Sequence, residues 1–121
     1  MIVLTIITWV LSGLLALVNL MAGGMKVVKP HGGDKPMPTL ANFSDAQVRL
    51  IGIAEVLGAI GLIVPALTGI LPWLTPLAAL GIAIIQFLAI FAHRRHDEPF
   101  VPNIVMMLIA VAIVVLRLVG A

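Results

Sequence analysis

Apolar residues dominate four stretches of this chain: Ile2 to Met25, Ala46 to Leu67, Leu71 to Ala92 and Val101 to Val119. Each reaches the roughly 17–25 residues that a helix needs to cross a ~30 Å hydrocarbon core. Membrane β-strands would instead read as ~10-residue segments of strict alternation, and no such segment is visible. The pattern predicts an all-α polytopic membrane protein. Its four transmembrane helices, about 2–25, 46–67, 71–92 and 101–119, form one up-down antiparallel bundle over residues 1–121, with a charged loop at 26–45.

The interruptions within these stretches are periodic. Thr5, Thr8, Ser12, Asn19 and Lys26, joined by Ala16 and Gly23, fall within about 40° of a common line on a helix. Small and polar residues on one face of a membrane helix turn toward other helices. In the second stretch Gly52, Gly58 and Ala59 flank Glu55 on one face, while Arg49 lies about 120° round the helix. Pro65 is expected to kink or end that helix. Thr75, Ala79, Ala83, Gln86 and Ala89 share a face of the third, continued by His93, and Asn103, Met107, Ala110 and Arg117 lie along one side of the fourth. Ser44 with Gln47 fits a capping box ahead of the second helix, and Asn42 is the other candidate cap. Trp9 and Trp73 are expected near one membrane surface.

Glu55 is the costly residue in this pattern. An ionised side chain inside a bilayer costs at least ~2.5–3.5 kcal/mol on insertion scales, so it needs a partner, a proton or a task. Counting rises from the ends near the charged loops, Asn19 and Gln86 lie roughly 9 Å deep and Glu55 roughly 14 Å deep. Lys26, His93 and Asn103 stand above this layer. Arg117 approaches from the other side, about 8 Å from Glu55 in depth, a gap that a long guanidinium side chain partly bridges. These residues are read as a polar chamber around Glu55. The competing reading is a buried carboxylate that only fixes helix register.

Charge and composition narrow the function further. The chain is 62% hydrophobic and 10% charged, with mean hydropathy +1.24; globular averages are about 45–50% and about 25%. A net charge of only +2 makes nucleic acid a poor partner. The absence of cysteine excludes disulfides and thiolate metal sites from this chain. The opening MIVLTIITWV has no basic n-region, and a cleaved signal peptide is not expected. Lys26, Lys29, Lys35, Arg49, Arg94 and Arg95 gather about residues 26–45 and 93–100, against Arg117 alone at the other side. The positive-inside rule predicts those loops to be cytoplasmic and both termini outside. His93 and His96 have a spacing compatible with a metal or haem, but Arg94 and Arg95 between them repel a cation, and no metal is expected. The Gly-Gly of KPHGGDKP lacks the context of a phosphate loop.

The stretch from Arg49 to His93 carries Arg49, Gly52, Glu55, Gly58, Gly61 and Pro65, then Leu71-Pro72-Trp73-Leu74-Thr75-Pro76. With Gly-Gly-Met-Lys26 closing the first helix and Asn103 and Arg117 in the fourth, it resembles the DoxX-like family of small four-helix membrane proteins. The resemblance implies a lipid-embedded bundle. Some members of that broad family are subunits of quinone-linked oxidoreductases, and others associate with membrane redox complexes. Lys26, Arg49, Glu55, His93, Asn103 and Arg117 match its pattern. Three functions follow as expectations. The first is a membrane subunit or accessory of a redox system, offering a quinone a chamber in which Asn19, Gln86 or Arg117 donates and Glu55 relays protons. The second is a small proton-coupled transporter, although the small multidrug exporters carry their carboxylate in the first helix and this chain does not. The third is a structural or assembly protein, with homo-oligomerisation through the small-residue faces.

Overall fold

A computed structural model describes residues 1–30 and 43–121. They form four α-helices in chain order: α1 (Ile2–Val28), α2 (Asp45–Thr68), α3 (Leu74–Arg95) and α4 (Val101–Leu118). All four are long and apolar enough to cross a membrane. They pack antiparallel as a ring, α1 against α2, α2 against α3, α3 against α4, and α4 back against α1; the last seam is the least extensive. Leu15, Leu62, Ala79, Ile82, Ala83, Ala110 and Ile113 meet at the centre, so every helix contributes to one core. The outward faces remain apolar, with Leu14, Leu57, Leu80 and Leu108 all exposed. Water would punish such a surface; lipid accepts it, and the protein is an integral membrane protein.

Helix ends follow local chemistry. Ser44 Oγ accepts from Gln47 N at 3.1 Å and Gln47 Oε1 accepts from Ser44 N at 2.9 Å, the reciprocal capping box expected from the sequence. Asn42, the other candidate cap, lies outside the described residues. Helix α1 runs past the expected end at Met25 to Val28, because nothing before Pro30 opposes the helix. Proline disfavours the helical conformation for its predecessor, and Lys29 duly turns extended at φ −133°, ψ 85°. Helix α3 begins at Leu74 rather than Leu71. Leu71 adopts a left-handed φ of 50° and Pro72 cannot donate, so residues 71–74 form a turn.

Of the two outcomes expected at Pro65, a kink or an end, the end does not occur there. The helix continues to Thr68 and stops at Gly69, whose φ of 72° suits a residue without a Cβ. A proline at 65 removes the N–H that would bond the carbonyl of Gly61, four residues back. That carbonyl instead accepts from the Thr75 hydroxyl of α3 at 3.1 Å, and Thr75 is fully buried. The repair works because Gly61 has no side chain; a Cβ there would stand 2.7 Å from Ala78 Cβ. The gap left by proline thus becomes the bond between α2 and α3. Thr75→Val should cost about 1–3 kcal/mol, the penalty of a stranded buried acceptor. In a Pro65→Ala background the backbone N–H returns and the same substitution should cost much less. Reversible unfolding of the four proteins in mixed micelles measures this coupling.

Candidate functional site

The site is built on a crossing of glycines. Gly23 of α1 and Gly52 of α2 face each other so closely that a Cβ on either would lie 2.6 Å from the other's carbonyl oxygen. Each glycine therefore turns a Cα hydrogen toward the opposite carbonyl, a contact that helps hold membrane helices at short range. Lys26 and Glu55 each stand three residues beyond one of these glycines, on the same faces. Side chains lean toward the N-terminus of their own helix. In an antiparallel pair Lys26 therefore leans down from the end of α1 while Glu55 leans up from within α2. They meet: Lys26 Nζ lies 2.6 Å from Glu55 Oε1. Glu55 is 3% exposed and Lys26 23%.

This corrects the expected partner. Arg117 does not approach Glu55; it sits at the far end of the bundle, with its Cζ 4.7 Å from the centre of the Trp9 ring and Nη1 donating to the Ala121 carbonyl at 3.3 Å. The aromatic face attracts the guanidinium and competes with any reach inward.

Helix contacts set the depth of the remaining residues. Gly58 faces Ile82, which puts Glu55 level with Gln86 to within about a residue of helical rise. Gly23 facing Gly52 brings Asn19 to the level of Val56 by the same count. Asn103 Nδ2 donates to Gln86 Oε1 at 2.8 Å, linking α4 to α3 in this layer, and both side chains are buried. Asn19 is 1% exposed, and its Nδ2 donates to the Leu15 carbonyl of its own helix at 2.8 Å. Its Oδ1 is buried without a hydrogen-bond partner. His93 lies nearer the loops, in the last turn of α3, with Nδ1 2.6 Å from Glu98 Oε2. Arg49 caps the α1 end, donating through Nε to the Val27 carbonyl at 3.2 Å.

Glu55, Gln86 and Asn103 therefore bond to neighbouring helices, while Asn19 bonds within its own. Among the described residues every seam is clasped: Lys26–Glu55 and Arg49 to Val27 between α1 and α2, Thr75 to Gly61 between α2 and α3, Asn103–Gln86 between α3 and α4, and Arg117 on Trp9 between α4 and α1. A volume of about 450 Å³ opens elsewhere, between α2 and α3, lined by apolar residues such as Leu57, Ile60, Leu77 and Ile85. Glu55 is not among its lining residues. Two participants escaped the sequence reading, Thr75 as a donor and Trp9 as a cation's platform. The first was signalled by a proline four residues after a glycine; the second had no signal, because it depends on which helices are neighbours.

Neither curated proteins nor solved structures yield a match to the chain. The sequence profile of the DoxX-like family matches residues 10–117, which span the greater part of α1, all of α2 and α3, and α4 as far as Arg117. Four antiparallel apolar helices, and a profile that covers nearly the whole of them, place the chain in the DoxX-like family of small integral membrane proteins.

Proposed function

We propose that this DoxX-like protein is a membrane subunit or accessory of a quinone-linked redox system, and that it supplies a folded membrane platform rather than the reacting groups. The observation that carries the reading is the pairing of Glu55. A carboxylate held 2.6 Å from a lysine on a glycine-tight crossing is committed to helix assembly, and Asn103 and Gln86 bond across the α3–α4 seam in the same way. The redox setting comes from the family resemblance. The loops around residues 26–45 and 93–100 face the cytoplasm, on the balance of Lys and Arg.

Intact-complex mass spectrometry of gently solubilised membranes tests this reading. A redox subunit and a quinone are expected to travel with the chain. Glu55→Gln should lower the amount of complex while leaving turnover per assembled complex unchanged. A chain that travels alone or only with copies of itself contradicts the reading, as does an assembled complex that Glu55→Gln inactivates. Proton-driven uptake in proteoliposomes that Glu55→Gln abolishes would replace it with a transporter.

A further inference from the structure

The open volume between α2 and α3 has a shape that restricts what can fill it. Its lining runs from Ala54 to Pro65 on α2 and from Leu74 to Ile85 on α3, and every lining residue is apolar. At ~1.5 Å of rise per residue the groove is roughly 16 Å long. One end lies at the α2–α3 hairpin, where Trp73 is 58% exposed at a level that suits an interfacial aromatic. The other end, at Ala54 and Ile85, lies near the midpoints of both helices. The groove therefore spans one leaflet, about half of a ~30 Å hydrocarbon core.

Width decides the occupant. About 450 Å³ spread over that length leaves a mean cross-section of roughly 30 Å². A helix ~10 Å across needs roughly 80 Å², so no helix of a second copy or of another protein can lie in the groove. Water does not fill it either, because the lining offers no polar side chain to bond. Left empty, it would forfeit van der Waals contacts along its whole length. A single hydrocarbon chain fits the width, and a phospholipid acyl chain is by construction one leaflet long. Gly81 keeps the space clear. Gly58 and Gly61 are taken up by the seam, where an added Cβ would stand 2.9 Å from Ile82 and 2.7 Å from Ala78. A Cβ on Gly81, which also lines the groove, would meet nothing within 4 Å. Helix packing thus does not call for glycine at 81, and glycine is a poor helix former.

We propose that the α2–α3 groove is a binding site for one acyl chain of a phospholipid in the leaflet at the hairpin end, held by van der Waals contact. Residues from Pro65 to Pro76 carry no charge, so the head group is not selected. The site is separate from the redox partnership proposed above. Photo-crosslinking in bilayers tests it, with a phospholipid that carries a diazirine at the end of one acyl chain. In wild type the label should concentrate at Ala54 and Ile85, in excess of Leu108, which is exposed at similar depth on α4 and meets ordinary bilayer lipid. Phosphatidylcholine and phosphatidylglycerol probes should label alike. Gly81→Leu fills the groove; it should lose the excess at Ala54 and Ile85, keep the label at Leu108 and melt no lower than wild type. Gly81→Ala should lose part of the excess, and covers the case in which Gly81→Leu does not fold. Label spread evenly over the outward faces, or an excess that survives Gly81→Leu, overturns the proposal. So does an excess that a trace of isoprenoid quinone abolishes, or one that appears only when the protein is diluted in lipid. The groove would then belong to that lipid or to side chains of a second copy.

Discussion

Lys26→Met is expected to destabilise the bundle by about 3–5 kcal/mol, the penalty for removing one partner of a buried pair. Glu55→Met should cost far less. The asymmetry follows from exposure. Without Lys26, the carboxylate is left 3% exposed among apolar atoms and must be hydrated or neutralised where it stands. Without Glu55, Lys26 is 23% exposed on the last turn of α1 and can swing its long stem to the interface. The loss of an ordinary interhelical polar contact averages only ~0.6 kcal/mol in membranes, which is the scale expected for Glu55→Met. The double substitution Lys26→Met with Glu55→Met should recover most of the Lys26→Met loss, since apolar replacement of a whole pair is often neutral. Unfolding in mixed micelles gives all four values. Equal losses for the two single variants, adding in the double, would mean that the pair is not formed in the bilayer protein.

Gly23→Leu should separate α1 from α2 altogether. Even the Cβ of an alanine would stand 2.6 Å from the Gly52 carbonyl oxygen and 2.9 Å from Glu55 Cβ. Both are parts of a helix that cannot turn aside, so the helices themselves must move. Gly23→Ala is expected to cost about 1–3 kcal/mol, the range for overpacking a filled site, and Gly23→Leu more. The adjacent glycine is the control. Gly24 has nothing within 4 Å of its Cβ position, so Gly24→Ala should be neutral or slightly stabilising through helix propensity. The same ordering of the three variants should appear in thermal melts. A Gly23→Leu protein that melts with wild type would remove the close crossing.

Much of the fold was legible because membrane helices announce themselves by length and apolarity alone. The inner faces were legible too: Thr8, Ser12, Asn19, Glu55, Thr75, Gln86 and Asn103 are all buried, as their spacing with small residues predicts. Partners were harder. Depth along an axis placed Arg117 within reach of Glu55, but depth says nothing about which face of which neighbour a side chain meets. The repeated spacing of a glycine three residues before a charge, Gly23 to Lys26 and Gly52 to Glu55, was the available signal for the pair. Pro65 left a kink or an end open for a related reason. Its effect on the helix was set by Thr75 on the next helix, and a local rule for proline contains no neighbour.

The most direct measurement is solid-state NMR of the protein in phospholipid bilayers, with ¹⁵N in lysine side chains and ¹³C in glutamate carboxyls. Strong dephasing between Lys26 Nζ and Glu55 Cδ is the expected result, as an N–O separation of 2.6 Å requires. A Lys26 Nζ that dephases against lipid phosphorus and not against Glu55 would contradict it, because the lysine would then lie at the head groups and the α1–α2 clasp would not exist.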